Sequence, residues 1–137
     1  MYSSIMVPVD LEHSDKLDKA LSTAADLSKH YNATLCLVGV TMSAPTAVAH
    51  NPTEFGEKLA EFAAEQTTRH GVEVNTKSMV SNDPTIDLGD ALQRAASELD
   101  ADLVVMGSHV PGFAEHVFSS NAGYLAEHAK LSVFVVR

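Results

Sequence analysis

Residues 101–137 read ADLVVMGSHVPGFAEHVFSSNAGYLAEHAKLSVFVVR, and this stretch decides the fold. Leu103 to Met106 is a fully apolar run that leads straight into Gly107-Ser108. A loop follows. Ser119, Ser120 and Asn121 then stand as small polar residues before a helix whose apolar positions are Ala122, Leu125, Ala126 and Ala129. Leu131 to Val136 is a second apolar strand. A strand that passes through glycine into a loop and a helix is how an α/β protein places a phosphate site at the carboxyl end of a strand. The free amides and the positive end of the helix face the anion there.

The same alternation continues upstream. Ser4 to Val9 is an apolar run, and Leu17, Ala20, Leu21, Ala24 and Ala25 follow at helical spacing, with Ser14 and Asp15 suited to the helix start. Leu35 to Val40 is a second buried strand. Asn51-Pro52-Thr53-Glu54 combines a cap, a proline at the first helical position and a capping-box acid. Phe55, Leu59, Phe62 and Ala63 line one face of that helix, and Gly71 ends it. Val72 to Val80 alternates, as a half-exposed outer strand does. Asp83-Pro84 opens a third helix with Leu88, Ala91, Leu92, Ala95 and Leu99 on one face. The pattern is βαβαβαβαβ, with no linker, repeat or low-complexity tract. It predicts a three-layer, doubly wound α/β fold: a five-stranded parallel sheet, strand order 3-2-1-4-5, covered by four helices. Ligands of such folds bind beyond the carboxyl ends of the strands where the winding reverses. Pro8, Val9 and Asp10 are expected to meet Gly107, Ser108 and His109 at that point.

The 137 residues suit a single domain, 1–137, with a sizeable core. Hydrophobic residues make up 45%, charged residues 20%, and mean hydropathy is near zero, which fits a globular protein. No apolar run approaches the roughly 20 residues a membrane helix needs. Residues 1–6 lack the basic region and apolar stretch of a signal peptide, and the one cysteine, Cys36, cannot form an internal disulfide; both point to the cytoplasm. Nine basic against eighteen acidic residues give a formal charge of −9. The basic residues are scattered, which argues against nucleic acid and anionic membrane as partners. An anionic nucleotide bound here needs backbone amides, a helix N-terminus or a divalent cation to offset repulsion.

Several separated pieces together resemble the universal stress protein family over essentially the whole chain. They are Ile5 to Asp10, Leu35 to Val40, Ala101 to Ser108, and the ending Val133 to Arg137. Nucleotide-binding members carry Gly-x-x-Gly, nine residues, then Gly-Ser or Gly-Thr. Gly107 matches the first glycine, Val110 replaces the second, Ser119-Ser120 stands where Gly-Ser belongs, and the spacer is one residue short. Gly-Ser-x-x-Pro, then His, then Ser-Asn-Ala is similar to a subgroup of small stress proteins that also lack the second glycine. Gly-Ser-Asn-Ala is usual there, so Ser119 departs even from the subgroup.

The resemblance implies an ATP, ADP or AMP site. Asp10 would reach ribose hydroxyls or contact Mg²⁺ through a magnesium–nucleotide, and the backbone of Val40 would meet adenine. Gly107, Ser108, His109, Ser119, Ser120 and Asn121 would surround the phosphates. It also implies a homodimer through the edge strand 131–136, with an unidentified client protein. A second reading stays open. A β-branched residue rarely adopts positive φ, so Val110 does not copy a glycine in that conformation, and Ser119 adds a side chain where backbone would touch phosphate. Gly112 is placed to take over the turn. If the loop has lost the phosphate, the chain is a nucleotide-free homodimeric interaction module, its loop filled by Phe113 or Phe118.

Other chemistry is not supported. The seven histidines show no His-x-x-x-His ligand spacing. His30 and His70 fall near helix C-termini, where positive charge is favourable. Cys36 reads as a core residue. Residues 107–121 contain no lysine or arginine to stabilise a phosphoryl transition state, so at most slow ATP hydrolysis is expected.

Overall fold

In the computed structural model, five apolar runs become the strands β1 (Ser4–Val9), β2 (Thr34–Thr41), β3 (Val74–Val80), β4 (Leu103–Gly107) and β5 (Ser132–Val136). Between them lie α1 (Asp18–Tyr31), α2 (Pro52–His70), α3 (Pro84–Glu98) and α4 (Glu115–His128), with a short 3-10 segment, Leu11–Lys16, after β1. The structure describes residues 1–107 and 115–137, and the side chains of all of these except Thr85 and residues 115–120. Ser108, His109, Val110, Gly112 and Phe113 therefore lie outside the described residues, as do the side chains of Phe118, Ser119 and Ser120.

The strands form one sheet in the order β3-β2-β1-β4-β5, all neighbours parallel, as the alternation predicts. Successive residues of a strand face opposite sides, and the core divides accordingly. Ile5, Val7, Leu35, Leu37, Leu103 and Val105 pack with Leu21 and Ala24 of α1 and Phe55, Leu59 and Ala63 of α2. Met6, Val38, Val104 and Met106 pack on the other face with Leu92 and Ala95 of α3 and Ala122 and Leu125 of α4. Both faces of the central strands are covered, so their sequences are uniformly apolar rather than alternating. β3 lies at one edge and is mostly exposed: Met79 is buried, Val74 and Lys77 are half-buried, and Asn75, Thr76, Ser78 and Val80 are exposed, so the expected alternation holds only from Thr76 onward. At the other edge, β5 exposes Phe134 (45%) and Val135 (43%).

Three elements start two or more residues from the expected position, while β2, β4 and β5 differ by a single residue at an end. α1 begins at Asp18, not at Ser14 or Asp15, because Asp10 takes the capping role first. Its side chain accepts from the amide of Glu12 and curls the chain into the 3-10 segment. β3 begins at Val74, not Val72. α2 ends at Gly71, and Thr67 Oγ1 accepts the Val74 amide across the turn. α4 begins at Glu115, so Ser119, Ser120 and Asn121 lie inside it rather than before it. Residues 115–121 contain no glycine or proline, and an acid at the first position suits the positive helix end. α2 starts as expected: Asn51 accepts from the Glu54 amide at 2.8 Å. In return the Glu54 carboxylate accepts from the His50 amide, one residue before the cap.

The amino ends of the strands are tied by Asp102. Its carboxylate accepts from the Ser3 amide (2.9 Å), the Ser4 amide (3.0 Å) and the Ser3 hydroxyl (3.0 Å). Its own amide donates to Ser4, and its carbonyl accepts from Ser132. Partial burial opposes the charged form, but the bonds from Ser4 and Ser3 outweigh it and hold the carboxyl below its usual range. A lowered folded-state pKa means stability that is present above the unfolded carboxylate value, about 3.9, and lost as pH falls through the folded value. Asp102→Asn is expected to cost about 1–2 kcal/mol at neutral pH. Urea unfolding at descending pH checks this, since the gap between variant and parent should close in acid.

Candidate functional site

The carboxyl ends of all five parallel strands lie at one end of the sheet. β1 stays paired with β2 along its length, from Ser4–Thr34 to Val9–Gly39. Its pairing with β4 stops after Ile5–Leu103 and Met6–Val104. Beyond that, β1 continues through Val7, Pro8 and Val9, and β4 through Val105, Met106 and Gly107. Pro8 has no N–H to give to a ladder, consistent with pairing that ends early on this side. The gap falls between β1 and β4, where the chain order reverses, which is the binding position of doubly wound sheets.

Asp10 stands on one rim. It is extended (φ −108°, ψ 105°) and its side chain is 26% exposed. Oδ1 accepts from the Glu12 amide at 3.0 Å, and Oδ2 is 2.9 Å from Nδ1 of His13. The bond to Asp10 raises the His13 pKa above its ordinary value against a smaller opposing effect of burial. Asp10, Glu12 and His13 each bring a ligand atom within 4.8 Å of the others. A carboxylate has about four lone-pair sites, so Asp10 keeps acceptor capacity for another partner. Two carboxylates are hard oxygen donors of the kind a divalent cation takes.

Gly107 stands on the other rim, half-buried; among the described residues a Cβ placed on it would meet no atom within 4 Å, and its φ is not positive. Val40, one strand further, is half-buried near the end of β2, and the buried Thr41 beside it accepts the Ser81 amide through its carbonyl. The described side chains thus place Pro8, Val9 and Asp10 on one side of the gap and Gly107 on the other, with Val40 at the neighbouring strand end. Asn121 lies half-buried on α4, and its Oδ1 is turned toward α3.

Sequence reasoning passed over Glu12 and His13. The signal was the i, i+3 spacing of Asp10 and His13 directly after an apolar strand, not a His-x-x-x-His motif. Cys36 is buried as expected, and desolvation pushes its thiol up to about 11, so it is no nucleophile. Among the described residues, no helix is long and apolar enough to cross a membrane.

Comparison with known proteins agrees with this architecture. The model of the universal stress protein family matches residues 1–137. Universal stress protein G of Shigella flexneri is 32% identical over 148 aligned positions, which cover 100% of each chain. A universal stress protein solved in complex with cAMP superposes with a TM-score of 0.69 at 23% identity, covering 99% of this chain and 97% of that one. The universal stress protein from Archaeoglobus fulgidus, solved in complex with dAMP, superposes with a TM-score of 0.66 at 20% identity, covering 99% and 98%. With the whole chain matched and the sheet order and strand-end gap in place, the chain belongs to the universal stress protein family.

Proposed function

We propose that this chain binds an adenine nucleotide (ATP, ADP or AMP) between the ends of β1 and β4 and works in the cytoplasm as a homodimeric regulatory protein of the stress response. The observation that carries the reading is the gap left where the β1–β4 ladder stops, with Asp10 on one rim and Gly107 on the other. Relatives of the same fold solved with cAMP and dAMP support it. In this reading Asp10 accepts from ribose hydroxyls, the Val40 backbone meets adenine, and Pro8 and Val9 form the floor. Gly107, Ser108, His109, Ser119, Ser120 and Asn121 surround the phosphates. Asp10 with Glu12 would hold Mg²⁺, which offsets phosphate charge in a chain of net charge −9. Exposed Phe134 and Val135 on β5 would be covered by the same strand of a second copy, while the client protein stays unidentified.

A second reading, the nucleotide-free homodimer, is favoured by one observation. A helix leaves only its first four N–H groups free. With α4 starting at Glu115, Ser119, Ser120 and Asn121 stand beyond them, so their amides are not among those a helix end offers to phosphate.

Thermal unfolding with and without millimolar ATP·Mg²⁺, AMP or cAMP separates the two readings. A ligand at a hundred times its Kd adds about 2.7 kcal/mol, a rise in Tm of roughly 5–10 °C. No shift with any nucleotide, and none recovered by heat extraction, contradicts the first reading. Light scattering at micromolar concentration should read twice the 14.6 kDa chain mass; a monomer contradicts the dimer.

A further inference from the structure

α3 and α4 meet where α3 has no side chain. A Cβ on Gly89 would lie 2.8 Å from Oδ1 of Asn121 and 3.0 and 3.3 Å from Cδ1 and Cε1 of the Tyr124 ring. The first of these is closer than real Cβ atoms come to a neighbour, so a side chain at position 89 would push the Asn121 amide aside and press on the Tyr124 ring. Glycine inside a helix costs about 1 kcal/mol relative to alanine, and close packing is the usual compensation.

Polar contacts close over the notch. The Tyr124 hydroxyl donates to Asp90 Oδ1 at 2.6 Å and lies 3.3 Å from Gln93 Oε1. Gln93 Nε2 donates to the His128 carbonyl at 3.1 Å. The His128 ring stacks on Tyr124 with centroids 4.3 Å apart and planes 19° from parallel. The bond to Asp90 also raises the Tyr124 pKa, so the hydroxyl keeps its proton and remains a donor.

We propose that Gly89 and Tyr124 are positioning residues for the nucleotide site. The notch seats α4 on α3, and the Tyr124–Asp90 bond holds it there, so that Ser119, Ser120 and Asn121, within about one turn of Tyr124, stand at a set distance from the strand ends. α3 leads into β4 and packs Leu92 and Ala95 in one cluster with Val104 and Met106 of that strand, so the contact sets α4 against the helix that carries β4. The inference rests on the nucleotide reading. An ill-supported site is loosened by small displacements of the elements that carry it.

Two variants test it, measured well below the melting transition after circular dichroism confirms the fold. Gly89→Ala fills the notch, and Tyr124→Phe keeps the ring but removes the hydroxyl, so the second carries the test if the first does not fold. Titration with ATP·Mg²⁺ is expected to show Kd raised about tenfold in Gly89→Ala and roughly threefold in Tyr124→Phe. Hydrogen exchange across residues 115–128 of the ligand-free protein is expected to quicken about tenfold in Gly89→Ala, and less in Tyr124→Phe. A purely structural contact would lower Tm and leave Kd unchanged, and Kd within about twofold of the parent in both variants overturns the proposal. If the parent itself binds no nucleotide, the nucleotide reading fails and this proposal falls with it; if the parent binds and only the variants' exchange changes, the contact is structural and the positioning is overturned.

Discussion

Gly39→Val is expected to destabilise the protein by about 3 kcal/mol, the upper part of the range for overpacked cores, and to lower Tm by roughly 6–12 °C. Gly39 lies in β2 opposite Val9 and faces α2. A Cβ there would fall 2.7 and 2.8 Å from Cζ and Cε1 of Phe55 and 3.3 Å from Cδ2 of Leu59. Phe55 is 4% exposed and Leu59 0%, so neither has solvent into which to retreat. Gly39→Ala sets two effects against each other. Replacing glycine restricts the unfolded chain, which is worth about 0.4–1 kcal/mol in favour of folding. Overpacking against a buried ring costs about 1–3 kcal/mol, so a net loss of about 1 kcal/mol is expected. Phe55→Leu shortens the side chain that blocks the site. The double variant should therefore be more stable than the sum of the single changes, by roughly 0.5–3 kcal/mol in a double-mutant cycle. Urea unfolding measures all four proteins, and strict additivity contradicts the packing described.

Asp10→Ala is expected to weaken adenine nucleotide binding by roughly tenfold to a hundredfold, the loss of a hydrogen bond to a charged group at about 1.5–3 kcal/mol. Two effects must be separated. Removing an acid lowers repulsion of phosphate, which favours binding. It also removes the ribose acceptor and half of the carboxylate pair that suits Mg²⁺, and the direct contact is the larger effect at hydrogen-bond distance. Asp10 also caps the segment after β1 through the Glu12 amide. Asp10→Asn keeps that cap, so its stability should stay near the parent's while affinity falls. A stability loss without an affinity loss in Asp10→Ala would reduce Asp10 to a turn residue.

The five strands were legible because the sheet is wound on both faces. Val7, Leu37 and Val105 meet the α1–α2 layer, Met6, Val38 and Val104 meet the α3–α4 layer, and no polar alternation interrupts either set. α2 was legible from its ends, since Asn51, Pro52 and Gly71 each carry a local preference that tertiary structure did not override. The starts of α1 and α4 were not. Ser14 and Asp15 are good caps, but Asp10 came first along the chain and captured the Glu12 amide. Ser119, Ser120 and Asn121 also read as a cap, and serine and asparagine are tolerated within a helix once upstream residues have begun one. At the candidate site, the placement of Asp10 and Gly107 at strand ends followed from the apolar runs alone. His13 did not, because its partnership with Asp10 depends on the 3-10 curl. Gly89 did not, because a helical glycine acquires meaning only when Asn121 and Tyr124 of another helix lie over it.

The central claim is that an adenine nucleotide lies between the ends of β1 and β4. A crystal grown from protein saturated with ATP·Mg²⁺ tests it most directly. The account predicts nucleotide density in that gap, with ribose at Asp10, adenine against the Val40 backbone and phosphates beside Gly107. Density for the nucleotide elsewhere, or a gap filled by the chain's own side chains with no nucleotide bound, would contradict it.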